Sequence, residues 1–326
     1  MSLRDSIKQL QKREHITQDE LFRRLGYPRS SVMEKTSAEV KTAFDFAFGN
    51  SKVRKSSRET KELEKYIPWA RKFPVRALQS MGLIPANVKD DDLVRAMFRF
   101  MNVGGIAGFE NYYGATLQTA NPQTYAAWIR LGELRIERST TEYTPDREAI
   151  LSNMKFLRTN VFLHGQDLRK VAREVLNNCR IELLEVEAFI TAPTPTCAFY
   201  WRGYQPVIQI PTTKTDDAKF LKAIFHAAAH VLYHPIRTTC LQAAYAKSDS
   251  VPANMLEREA EKFAQDMMLS EAEECELICC GRFNERRCIQ YFSGLFHVRP
   301  SILVERLQQQ GKIKRNSPLN NLKIAV

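Results

Sequence analysis

An α+β fold is predicted, with a helical N-terminal half and a C-terminal unit built on a short three-stranded sheet and one long apolar helix. Three observations lead to it. Apolar side chains recur at helical spacing through the first half of the chain. Near Arg180 the texture changes to short runs rich in β-formers, punctuated by Gly and Pro. A long apolar segment from Asp217 to about Tyr233 follows those runs. The 326 residues suffice for about two domains. A hydrophobic fraction of 44% and a charged fraction of 26% fit a globular protein. They exclude a mostly disordered chain, a collagen-like repeat and a disulfide-bonded miniprotein.

The elements follow in order. Ile16, Leu21 and Leu25 share one helical face; Thr17 with Glu20 forms a capping box, and Gly26 supplies a stop. A second helix is expected from Pro28 through Val40 and Phe46. Helix, Gly-containing turn and helix have the outline of a degenerate helix-turn-helix, or equally of a plain helical hairpin. Gly49 to Arg58 is polar and basic with almost nothing to bury, and reads as a linker. The expected division is therefore 1–58 for this helical region and its linker, 59–178 for a helical middle, and 179–326 for the C-terminal unit. Helical patterns in the middle region fall at Glu59–Tyr66, Val75–Met81, Asp91–Phe100, Trp128–Leu134 and Asp146–Leu163.

In the C-terminal unit, Ile181–Ile190, Cys197–Arg202 and Pro206–Ile210 read as three strands, the last two a hairpin. Alternation puts Phe199 and Trp201 on one face of their strand and Tyr200 on the other. Asp216 ends the next loop as an N-cap for the apolar helix. A further helix is expected over roughly Pro252–Leu269, and helices fill most of the rest to Gly311.

Charge is unevenly spread. The chain carries a net +11; residues 1–75 and residues 281–326 each carry +7, so the middle is slightly acidic. Basic ends around a near-neutral body suggest contact with DNA or an acidic partner, or simply a surface kept soluble by charge. No stretch approaches the roughly 20 apolar residues of a membrane span. Met1 to Ser6 shows no apolar leader, and seven cysteines, few and odd in number, read as reduced thiols. A cytoplasmic protein is expected.

The chemistry concentrates in the apolar helix, which contains His226-Ala-Ala-Ala-His230. Histidines at i and i+4 face the same side of a helix, close enough to share one cation. Zinc in metallopeptidases uses this spacing, usually as H-E-x-x-H, with a third protein ligand from a later helix. Glu257 and Glu259 are the candidates here. They flank the expected buried stripe Leu256, Ala260, Phe263 and Met267 on opposite sides, so periodicity does not choose between them. His234, one further turn along, is a candidate supporting group or alternative ligand, and Glu261 a candidate acceptor for a histidine N–H. Cys275, Cys279, Cys280 and Cys288, with His297 nearby, lack the usual zinc spacing and read as buried small hydrophobes.

Phe225 to His234 resembles the F-H-E-x-x-H-[VI]-L-x-H signature of ImmA/IrrE-type metallopeptidases. Glu257 to Leu269 resembles that family's second signature, and Val298 to Gly311 its C-terminal element. Tyr204 to Ile210, with Asp216-Asp217, resembles the strand and loop ahead of the metal helix. The resemblance spans about residues 180–311. It implies a zincin-like domain, zinc held by His226, His230 and Glu257, and a protein substrate, often a helix-turn-helix repressor or antitoxin cleaved in a stress, phage-defence or toxin–antitoxin setting. Segments at Phe73–Gly82, Phe98–Gly104 and Ala126–Glu133 resemble the helical middle of proteins that join a HigA-like helix-turn-helix to such a peptidase.

The chain departs from the resembling family at Ala227, where the family has Glu. In such hydrolases that Glu takes a proton from the attacking water and delivers it to the leaving amine. Alanine does neither, while the three ligands are untouched. A single Glu-to-Ala change is the simplest account, and an engineered inactive variant is favoured over a natural pseudoenzyme. A zinc endopeptidase without its general base is therefore the first expectation. A non-catalytic DNA- and protein-binding regulator that reuses the scaffold is the second.

Overall fold

The computed structural model describes residues 3–27, 38–49, 63–88, 90–113, 121–137, 141, 143–160, 167–234, 240–243 and 255–326. The expected linker at 50–58 and the start of the expected second helix at 28–37 lie outside them. The fold is mixed α and β and mostly helical.

Eight helices are described ahead of the sheet in the first 140 residues: α1 (Leu3–Glu14), α2 (Gln18–Leu25), α3 (Ala38–Phe48), α4 (Ile67–Ala70), α5 (Val75–Ser80), α6 (Asp90–Met101), α7 (Ile106–Tyr112) and α8 (Pro122–Glu133). The Thr17 hydroxyl accepts the Glu20 N–H at 3.2 Å, and Gly26 closes α2 in the left-handed conformation at φ 82°. The Glu20 carboxylate accepts from Arg24 Nε at 2.9 Å. Two further helices, α9 (Arg147–Asn160) and α10 (Leu168–Asn178), precede the sheet.

The three expected strands are present as β1 (Glu182–Val186), β2 (Pro195–Arg202) and β3 (Gln205–Pro211). A fourth short strand, β4 (Cys240–Ala243), joins them, and the sheet order is β1-β3-β2-β4. β2 and β3 form the antiparallel hairpin, with Tyr200 opposite Val207, and Gly203 turns it at φ 61°. β1 runs parallel to β3, and β4 pairs antiparallel with β2.

Helices cover both faces of the sheet, which explains why its strands are apolar on both sides. Ala198, Tyr200 and Val207 pack with Trp128 and the helices of the middle region. Cys197, Phe199, Ile208 and Ile210 pack with α11 (Asp217–Tyr233), and Trp201 joins that side. That second core also draws on Tyr143 and the apolar faces of α9 and α10. Around it lie α12 (Met255–Met268), α13 (Glu271–Cys279), α14 (Arg286–Phe296), α15 (Pro300–Gln309) and a 3-10 turn at Pro318–Leu322.

Both ends of the chain reach into this frame. Arg24 of α2 is fully buried and donates Nη2 to both oxygens of Glu133 at the end of α8, at 2.9 and 3.1 Å. Tyr112, Tyr113 and Arg130 also donate to Glu133. At the other end, Val326 pairs with Thr215 through two backbone hydrogen bonds. The Ile324 N–H donates to the buried Asp217 carboxylate, which Arg299 also clasps at 3.0 Å. The first turn of α11 is thereby held from three sides.

Candidate metal centre

Helix α11 starts where expected because Asp216 caps it, accepting the Lys219 N–H at 2.9 Å. From Ala218 to Val231 nearly every side chain is buried. A helix buried this completely can carry two imidazoles only if they have polar partners. Helix α12 supplies them. Its buried stripe is Ala260, Ala264 and Met268, while Leu256, Phe263 and Met267 are half-buried beside it. Ala264 and Met268 of that face share a core with Ala227 and Ala228 of α11. This corrects the expected stripe and turns Glu257 and Glu261, one turn apart, toward α11.

His226 Nε2 and His230 Nε2 lie 3.2 Å apart. Glu257 Oε2 is 3.1 Å from the first, and Oε1 is 3.5 Å from the second. Among the described residues, these three side chains form the one group of three or more ligating residues that can hold a metal ion. The donor set fits. Metal–donor bonds of about 2.0–2.1 Å at tetrahedral angles put donors roughly 3.3 Å apart; the two imidazole nitrogens are 3.2 Å apart, and each lies within 3.5 Å of one oxygen of the Glu257 carboxylate. Glu257, not Glu259, joins the two histidines.

The two histidines differ in their electrostatic surroundings. Burial alone would raise the Glu257 carboxyl, but hydrogen bonding to His226 and His230 outweighs it and holds the group well below the usual carboxylate range. Burial would lower His226, yet Glu257 and Glu261 more than offset this and raise it above an ordinary histidine. For His230 burial prevails over Glu257 and its pKa falls, which favours the neutral, ligating form.

The other singled-out residues are placed around this centre. Glu261 Oε2 lies 3.6 Å from His226 Nδ1 and is itself held by Lys222 at 2.6 Å and Gln265 at 2.7 Å. His234 Nδ1 is 2.9 Å from His230 Nδ1, and His234 Nε2 is 3.2 Å from Glu259. The Phe199 ring stacks on His230, 5.8 Å between centroids and 11° from parallel. Alternation had put Phe199 on a sheet face, but nothing in the sequence says that this face meets the histidines. Ala227 is 1% exposed in the apolar core beside the site. The cysteines form two pairs, Cys275 with Cys279 at 3.9 Å and Cys280 with Cys288 at 3.2 Å, not one cluster. Cys275, Cys279 and Cys280 are exposed and Cys288 half-buried, which corrects the buried reading.

No protein-family model, curated protein or solved structure matches the chain. Among the described residues, no helix is long and apolar enough to cross a membrane.

Proposed function

We propose that this chain is a zinc-binding protein of metallopeptidase type, akin to the ImmA/IrrE proteins, whose alanine at position 227 leaves it without a general base. The observation that supports the reading is the convergence of two imidazoles and a carboxylate at tetrahedral donor spacing between two packed helices. Zinc held there supplies Lewis acidity toward a water and a peptide carbonyl. His226 and His230 contribute neutral donors and Glu257 a single negative charge, so the site keeps net positive charge for a polarised carbonyl. Ala227 offers no atom that accepts or donates a proton. The chain as it stands therefore binds its protein partner, a helix-turn-helix repressor or antitoxin, without cleaving it.

One observation favours the second reading, a non-catalytic regulator on the same scaffold. Ala227 is packed among apolar side chains at 1% exposure, where alanine suits its surroundings. The test compares the chain with its Ala227→Glu variant, each loaded with zinc and incubated with candidate repressors encoded near the gene, with a chelator control. The peptidase reading expects cleavage by the variant to exceed that by the parent by about 10²–10⁴-fold, the usual worth of general acid–base catalysis. No cleavage by either, with zinc bound and partner binding demonstrated, supports the regulator.

A further inference from the structure

We propose that Cys280 and Cys288 form a modification site, a dithiol that a hydroperoxide oxidises to a disulfide joining the end of α13 to the first turn of α14. The inference goes beyond the metal reading and does not rest on it, since neither cysteine belongs to the group that can hold the metal.

The chain is folded so that these two sulfurs meet. Cys280 caps α13, and Gly281 reverses the chain after it in the left-handed conformation at φ 68°. Phe283 packs against the C-terminal core, and the Arg282 carbonyl accepts the Glu285 N–H at 2.9 Å, which brings the chain round into α14. Cys288, in the first turn of α14, then lies with its Sγ 3.2 Å from that of Cys280. A disulfide bond is about 2.05 Å long, so the sulfurs have roughly 1.2 Å left to close. Cys275 and Cys279 supply the contrast. Their sulfurs are 3.9 Å apart, but the residues stand at i and i+4 on α13. Cβ atoms at that spacing are about 5–6 Å apart, whereas a disulfide needs about 3.5–4.5 Å. That pair cannot close while the helix is intact.

The two thiols are unequal. Cys280 is exposed, whereas Cys288 is half-buried against the core. Burial, with the hydrogen bond to Cys280, pushes the Cys288 thiol up to about 12. The Cys280 thiol rests on the Leu277 carbonyl at 2.9 Å, and its sulfur accepts the Arg282 N–H at 3.4 Å. Cys280 is therefore the attacking sulfur and Cys288 the resolving one. The Cys280 thiolate attacks one oxygen of the hydroperoxide and the O–O bond breaks. The other oxygen leaves with the thiol's proton, as an alcohol or water, and a sulfenic acid remains. The Cys288 sulfur then attacks the Cys280 sulfur, the S–O bond breaks, and the hydroxyl leaves with the Cys288 proton as water. Two electrons pass from the thiols to the peroxide, and no other reactant is consumed. An exposed disulfide is a labile one, so a dithiol reductant restores the pair.

The test treats the full, reduced chain with one equivalent of hydrogen peroxide. Arg282, Arg286 and Arg287 lie between the two cysteines, so cleavage after arginine separates them, and only a disulfide keeps the two peptides together in mass spectrometry. The expected product is lighter than the parent by two hydrogens, carries the Cys280–Cys288 link, and leaves Cys275 and Cys279 open to alkylation. Dithiothreitol should reverse it. Neither cysteine of the pair is fully buried, so serine can replace each without disturbing the core. Cys288→Ser should stop at the sulfenic acid, captured by dimedone on Cys280, whereas Cys280→Ser should give neither the link nor an adduct on Cys288. Closing the loop restricts the unfolded chain, so the oxidised parent should melt above the reduced one, with no such rise in either serine variant. A parent that stays fully reduced, a disulfide joining Cys275 to Cys279, or oxidation of those two ahead of Cys280 overturns the proposal.

Discussion

At the residue scale, position 227 separates binding from catalysis. Its methyl group sits in an apolar core at 1% exposure, so Ala227→Glu must accommodate a methylene and a carboxylate there. Overpacking of this kind costs typically about 1–3 kcal/mol. The metal-free variant should therefore melt below the parent, and zinc should raise its melting temperature. Calorimetry with and without zinc checks both. A variant as stable as the parent without metal would mean that the site opens toward solvent. The histidines were legible because i,i+4 spacing survives any helix packing. The choice of glutamate was not. Periodicity gives Leu256, Ala260, Phe263 and Met267 as the buried stripe, whereas the packed face is Ala260, Ala264 and Met268, with Leu256, Phe263 and Met267 half-buried beside it. The link from His234 to Glu259 was hidden for a related reason, since it joins the end of one helix to another across residues 235–254.

At the element scale, α8 lies on the sheet with no space between. A Cβ added at Gly132 would meet Gln209 Oε1 at 1.8 Å and Tyr200 OH at 2.4 Å. Those two atoms belong to a buried chain in which Tyr200 donates to Gln209 and Gln209 donates to the Trp128 carbonyl, each at 2.8 Å. Gly132→Ala should thus break polar contacts as well as crowd them, with a loss of roughly 2–4 kcal/mol. Urea unfolding measures it; a loss below about 1 kcal/mol would contradict the contact. The main strands and helices were legible from alternation, caps and Gly signals. Strand β4 was not, because four residues carry no usable period. The clasp of Ile324 and Val326 on the start of α11 was not either, since pairing between residues more than a hundred positions apart leaves no local trace.

For the whole molecule, the buried ion cluster at Glu133 joins the N-terminal helices to the body. Burial would raise the Glu133 carboxyl, but Arg24, Arg130 and Arg202 outweigh it and depress its pKa far below the ordinary 4.5. A depressed carboxyl stabilises the fold above its unfolded pKa, and the contribution is lost as pH falls below that value toward the folded one. Glu133→Gln should lower stability at pH 7 by roughly 3–5 kcal/mol, the cost of stranding a buried partner. Its deficit relative to the parent should shrink from about pH 4.5 downward. Unfolding curves at pH 7 and pH 3 test this, and an unchanged deficit would refute the assigned charge state.

The same cluster bears on the net charge of +11. Arg24 is committed inside the protein, and deleting residues 1–58 would strand Glu133. A role in DNA binding is therefore better tested on the full chain, where affinity should fall steeply with salt through counterion release.

The most direct test of the central claim is the zinc content of protein purified without added metal, measured beside the His226→Ala variant. One equivalent in the parent and a near-complete loss in the variant are the predicted result. Zinc well below one equivalent in the parent, unchanged by His226→Ala, would contradict a metal centre at His226, His230 and Glu257.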